Sequence, residues 1–178
     1  HEIPPPGLCS VPRRRPAPVI YTPDQLAEMV ATTQRLNPPL RAATYRALFG
    51  LLAATGMRVG EAIALARGDV GLVEGVITVR HAKFDRMRLV PLHASVCAAL
   101  RVYAATRDRL CPTPCVDRFL VSVTGRALRR GGADRVFREI TALIGLRTEA
   151  VHPRVHDMRH SFAVHTLGRT MESHLPTR

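Results

Sequence analysis

His156-Asp157-Met158-Arg159-His160-Ser161-Phe162-Ala163 is the stretch on which the fold turns. Read at helical period, His156 and Arg159 lie three apart and share one face, while Met158 and Phe162 recur on another. The spacing predicts a helix over 156–167 with Met158 and Phe162 turned inward. An arginine fork matches the oxygens of a phosphate, and a histidine gives or takes a proton near neutral pH. Taken alone, a histidine beside an arginine reads equally as a solvated or structural pair. The surrounding chain has to decide.

Working back toward the N-terminus, Ala133 to Leu146 reads as a helix, with Val136, Phe137, Ile140 and Ile144 at helical spacing. Phe119-Leu120-Val121 reads as a short strand. A further helix is expected from about Ala94 to Leu110, with Val96, Leu100 and Tyr103 on one side. Before it the period changes to two. Val76 to Arg80 and Arg88 to Leu92 form two strands around a tip at Lys83–Met87, so Lys83 stands at the open end of a hairpin. Another helix spans about Leu40 to Ala54, buries Tyr45, Leu48, Leu51 and Leu52, and stops at Gly56 because glycine accepts the left-handed conformation. Arg58 then falls at a helix-to-helix junction, ahead of a short helix through Ile63 and Leu65. The first helix begins at Thr22, where Thr22 caps, Pro23 opens and Gln25 closes a capping box before Leu26, Met29 and Val30. The fold class is mainly α with a small antiparallel β-sheet.

Composition sets the outer bounds. A chain of 178 residues, 46% hydrophobic, suits one domain with a sizeable core. A net charge of +12 points to a polyanionic partner, because basic surface gains affinity by releasing counterions from nucleic acid. It also fits a chain simply rich in arginine and alanine with solvated basic faces. No apolar run approaches the ~20 residues of a membrane span, and no signal peptide is visible after His1. Cys9, Cys97, Cys111 and Cys115 make no disulfide framework, so a reducing cytoplasm fits better. Cys111 and Cys115 flank Pro-Thr-Pro without a second ligand pair, which reads as a proline-rich loop and not a metal site. The absence of an acidic cluster argues against a nuclease or polymerase using divalent ions. Residues 1–18, with Arg13-Arg14-Arg15, read as a Pro/Arg-rich linker, either a basic strap on phosphates or a solvated tether.

Three boxes in order then carry a resemblance. They are Thr55-Gly56-Met57-Arg58-Val59-Gly60-Glu61-Ala62, the segment His81 to Leu92 ending in Arg88-Leu89-Val90-Pro91-Leu92, and His156 to Ala163. Together they resemble the catalytic domain of tyrosine recombinases, the phage integrase family, whose last box reads His-x-Leu-Arg-His-(Thr/Ser)-Phe-Ala. Here Met158 replaces the leucine. The resemblance spans about Ile20 to Leu167 and implies the roles that follow. Arg58 and Arg159 hold the non-bridging oxygens of a DNA phosphodiester and stabilise five-coordinate phosphorus. His156 handles a proton at the same group, and Lys83 protonates the departing 5′-oxygen. Lys83 is the only lysine in the chain, and a guanidinium does not readily give up a proton. Glu61 pairs with Arg58 from one turn away, and His160 supports the site with Phe162 by packing and hydrogen bonding. Outside the family context, Arg58 and Glu61 read as an ordinary surface pair.

The family attacks DNA with a tyrosine beyond the last box. In this sequence Tyr103 is the last tyrosine, so no nucleophile is present, and His174 does not match the Gly-His segment that precedes it in relatives. Residues 19–178 therefore read as an incomplete integrase-like catalytic domain. The expectation is DNA binding and site-specific recombination or integration through a phosphotyrosine in the full-length enzyme, with no cleavage by the chain as written. The alternative is a non-catalytic DNA-binding remnant or decoy. The implied partners are double-stranded DNA and further recombinase protomers, with no membrane, no metal and no other cofactor. The implied location is the cytoplasm, at the nucleoid.

Overall fold

A computed structural model describes residues 17–82 and 86–172. Lys83 and residues 1–16 of the expected linker lie outside the described residues. Helix α1 (Pro23–Thr32) starts as its sequence dictates: Thr22 Oγ1 accepts from the Gln25 N–H, and Gln25 Oε1 accepts from the Thr22 N–H. Helix α2 (Pro39–Thr55) is the central element and buries Tyr45, Leu48, Phe49, Leu51 and Leu52. It ends at Gly56 with φ 60°, whose N–H returns to the Leu52 carbonyl. Helix α3 (Val59–Ala64) follows at once, with Arg58 at its N-cap.

The sheet has three antiparallel strands in the order β1 (Val70–Gly71), β2 (Val76–Ala82), β3 (Arg86–Pro91). The hairpin β2–β3 sits where period-two patterning put it, except that β2 runs on to Ala82 and β3 begins at Arg86, inside the expected Lys83–Met87 tip. The third strand does not. Val121 makes only an isolated bridge to Ala127, and Val70–Gly71 takes the sheet edge instead. Phe119, Leu120 and Val121 are all buried, so this run anchors a loop in the core. Its main chain is satisfied elsewhere: the Phe119 N–H donates to the Leu65 carbonyl and the Val121 N–H to the Tyr103 hydroxyl.

Helix α4 (Ala94–Leu110) packs against α2, and α5 (Arg130–Leu143) presents Val136, Phe137 and Ile140 to the same core. Helix α5 begins three residues before the expected Ala133 and ends three before Leu146, ahead of Gly145 with φ 71°. Helix α6 (Asp157–Glu172) runs past the expected Leu167, and His156 stands just before its first turn. Met158 is fully buried, as expected. One continuous core joins α1, α2, α4, α5 and α6, with Phe137 edge-on to both Tyr21 and Phe49. Among the described residues no helix is long and apolar enough to cross a membrane.

Candidate functional site

The turn after α2 and the first turn of α6 are far apart in sequence and meet in space. Gly56 enables the meeting twice. Its positive φ ends α2, and a Cβ built on it would come within 2.3 Å of the Phe162 ring. The chain therefore needs glycine both for its conformation and for the approach of α6. Across this contact Arg159 Nη1 donates to the Gly56 carbonyl at 2.6 Å. The second guanidinium of the expected set is thereby docked on the turn that leads into Arg58.

Arg58 is held by Glu61, as the i,i+3 spacing suggested. Glu61 Oε2 accepts from the Arg58 N–H at 2.9 Å, which is the helix-capping role of a glutamate at the third helical position. Glu61 Oε1 accepts from Arg58 Nη1 at 3.0 Å. The Arg58 side chain remains 62% exposed while that of Glu61 is 12% exposed, so the cation faces solvent and the anion sits beneath it. Burial pushes the Glu61 carboxyl up, but the Arg58 hydrogen bonds and the Arg88 charge outweigh it and hold the group below the usual carboxylate range.

His156 keeps much of its surface in solvent although its ring is partly buried, and its carbonyl accepts from the Arg159 N–H at 3.1 Å, which fixes the two residues one turn apart. Its ring meets that of His160 edge-on, with centroids 4.9 Å apart. Partial burial, the neighbouring His160, and the charges of Arg159 and Arg130 push the His156 imidazole below its ordinary value. Asp157 opens α6 fully buried, where its carboxylate accepts from the Arg154 N–H at 3.0 Å and from Arg154 Nη2 at 3.1 Å. A negative charge in the first turn also suits the helix dipole.

Of the expected residues, the structure thus gathers Arg159, His156, His160 and the Arg58–Glu61 pair around the Gly56 turn and the start of α6. Lys83 is not among the described residues. Three contributors escaped the sequence reading. Arg88 on β3 joins Glu61 at 2.6 Å, and Arg130 at the start of α5 acts electrostatically on His156. Tyr21 is the third: its N–H donates to Ser161 Oγ at 2.8 Å, and its carbonyl accepts from His165 Nε2 at 2.8 Å. A signal for Arg88 was present. It has the same strand parity as Val90, whereas Met87 and Leu89 on the other face are exposed.

Residues 20–174 match the phage integrase family. The chain belongs to that family. It is 38% identical over 180 residues to a Sinorhizobium fredii protein that carries the name integrase/recombinase y4rB, covering 97% of this chain and 57% of that protein. It is 32% identical over 156 residues to tyrosine recombinase XerC of Roseiflexus sp., covering 86% of this chain and 48% of that one. Among solved structures, XerA recombinase superposes with a TM-score of 0.72 at 26% identity, over 85% of this chain and 52% of that chain. The chain spans about half the length of the curated relatives it matches. The phage integrase fold accounts for the mostly helical architecture with its small three-stranded sheet.

The resemblance implies a tyrosine nucleophile, and this chain has three tyrosines. Tyr21, Tyr45 and Tyr103 are all buried. The Tyr21 hydroxyl donates to the Arg154 carbonyl at 3.3 Å, and that of Tyr103 accepts from the Val121 N–H at 3.2 Å. Burial pushes all three phenols up, further from the phenolate that attacks phosphorus. All three serve packing.

Proposed function

We propose that this domain grips a DNA phosphodiester with Arg58 and Arg159, with His156 as its proton-handling group and Lys83, which follows β2 in the sequence, as the donor to the departing 5′-oxygen. The reaction it serves is site-specific strand exchange through a phosphotyrosine. Such chemistry needs no metal, because the covalent link conserves the energy of the phosphodiester. The partners are duplex DNA and further recombinase protomers. The observation that carries the reading is the Arg159 guanidinium docked on the Gly56 carbonyl, which brings the first and last boxes to one place. Two guanidiniums on segments that meet at Gly56 offer preorganised positive charge to the negative charge that the oxygens of a phosphorane would carry.

The net charge of +12 supports the same reading, since phosphate contacts dominate nucleic-acid affinity. Binding of a duplex and of orthovanadate, a phosphate mimic, tests it in Arg58→Ala and Arg159→Lys chains. The Arg58 change removes one guanidinium. The Arg159 change keeps the charge but replaces the planar fork with a compact ammonium on a shorter stem, which suits Gly56 and a phosphate less well together. Each is expected to weaken orthovanadate binding by roughly tenfold or more, in line with charge-assisted hydrogen bonds of about 1.5–3 kcal/mol. Unchanged affinity in both variants refutes the site.

A further inference from the structure

Glu61 is shared between two elements. Its Oε2 accepts from the Arg58 N–H at 2.9 Å and from Arg88 Nη2 at 2.6 Å, while Oε1 accepts from Arg58 Nη1 at 3.0 Å. One carboxylate thus faces two guanidiniums, and the cluster keeps a net single positive charge. The two arginines differ in setting. Arg58 is 62% exposed at a helix N-cap, whereas Arg88 is 39% exposed on a paired strand opposite the buried Val79.

We propose that Arg88 is a positioning residue of the phosphate site, the standing counterion of Glu61 that frees Arg58 to turn its guanidinium to DNA. This rests on the reading of Arg58 as a phosphate ligand. To take a phosphate with both terminal nitrogens, Arg58 must release Glu61 Oε1. Without Arg88 that release strands a mostly buried carboxylate, and an uncompensated buried charge is costly. With Arg88 in place, Glu61 keeps a strong charge-assisted bond on Oε2 throughout the exchange. Arg88 Nε is buried and makes no hydrogen bond among the described residues, so the Glu61 carboxylate is what orients this side chain. Arg88 therefore acts on phosphate through Glu61, without touching it.

The test compares orthovanadate affinity in the 178-residue chain and in Arg88→Gln, Arg88→Lys, Glu61→Gln, Arg88→Gln/Glu61→Gln and Arg58→Ala variants, with thermal unfolding of each as a folding check. Arg88→Gln is expected to lose on the order of tenfold, and Arg88→Lys to stay within about threefold because the charge is kept. Glu61→Gln removes the charge that needs a counterion while its amide oxygen still caps the Arg58 N–H. The double variant is therefore expected to return to within about threefold of the parent. A direct phosphate ligand or a merely structural arginine gives no such rescue. Full affinity in Arg88→Gln alongside lost affinity in Arg58→Ala overturns the inference and leaves the site intact, as does a double variant that stays weak. Full affinity in Arg58→Ala removes Arg58 as a phosphate ligand and overturns this inference with it, while the site as a whole falls only if Arg159→Lys also binds fully.

Discussion

Arg159 Nη1 reaches the Gly56 carbonyl at 2.6 Å across 103 residues of sequence. The same glycine lies under the Phe162 ring, one turn further along α6. A single backbone position therefore ends α2, seats α6 and holds one of the two guanidiniums proposed to bind phosphate. The arginine gains a fixed anchor without spending its whole fork, because a carbonyl oxygen occupies one terminal nitrogen and leaves the other for a ligand.

Gly56→Ala is accordingly expected to be among the more damaging one-carbon changes in the chain. A left-handed conformation costs a residue with a Cβ about 1–2 kcal/mol, and forcing a methyl into a packed contact adds about 1–3 kcal/mol. Urea denaturation should show a loss of about 2–4 kcal/mol, with phosphate binding falling in the fraction that folds. Because the nearest atoms belong to a side chain, Phe162→Leu in the same chain should recover part of the loss but not the conformational share. Wild-type stability in Gly56→Ala would mean that α6 is not seated here.

Much of this arrangement was legible in the sequence for reasons that can be named. Gly56 was readable as a helix stop because only glycine tolerates that backbone without cost, and the Thr22–Gln25 capping box was readable because both partners are local. Glu61 and Arg58 are three apart on one turn, so their pairing needs no knowledge of the fold. Arg88, Arg130 and the Tyr21 contacts are long-range, and a periodicity argument says which face a residue occupies but not what lies across from it. Phe119 to Val121 misled for a related reason: a short apolar run looks the same whether it pairs in a sheet or plugs a core. The true third strand, Val70–Gly71, is two residues long and carries no readable period.

Ser161 is the pivot between the start of the described chain and α6. Its Oγ accepts from the Tyr21 N–H and donates to the Asp157 carbonyl at 3.0 Å, and it is fully buried. Removing it leaves a buried backbone N–H without an acceptor, at about 1–3 kcal/mol. Ser161→Ala should show that loss in chemical denaturation. Tyr21→Phe gives up only the 3.3 Å bond to the Arg154 carbonyl and should cost less, about 0.5–1.5 kcal/mol. If the order is reversed, the phenol and not the main chain fastens this segment to α6.

The His156 imidazole titrates below its ordinary value of about 6.5 because it is partly buried and stands beside His160, Arg159 and Arg130. An anion in the site opposes those charges and favours the protonated ring, so the bound-state value lies above the free one. Phosphate binding then takes up a proton. Affinity should rise as the pH falls through the interval between the two values and level off below the free-site value. His160→Gln removes one of the causes and should move the free value up. Titration of the His156 ring proton by NMR, with and without orthovanadate, reads both values. A free ring titrating at or above the ordinary value, or one that does not move upward on binding, contradicts the electrostatic picture.

The tyrosines set the last expectation. A phosphotyrosine requires a hydroxyl that can leave its hydrogen-bond partners and reach phosphorus in line. Tyr21 and Tyr103 are bound to main-chain partners within the core, and Tyr45 is buried on α2 against Phe49. Burial holds all three in the neutral form. Exposing any of them at the Gly56 turn would break up the core that positions Arg58 and Arg159, so the proposed clamp and an internal nucleophile exclude one another. These 178 residues should therefore bind a nicked suicide duplex and form no covalent adduct resistant to denaturing electrophoresis. A peptide or protein supplying an exposed tyrosine in trans should restore adduct formation, and Arg58→Ala should abolish what is restored. An adduct formed by the chain alone, mapped to Tyr21, Tyr45 or Tyr103, would show that the core opens far more readily than its packing implies.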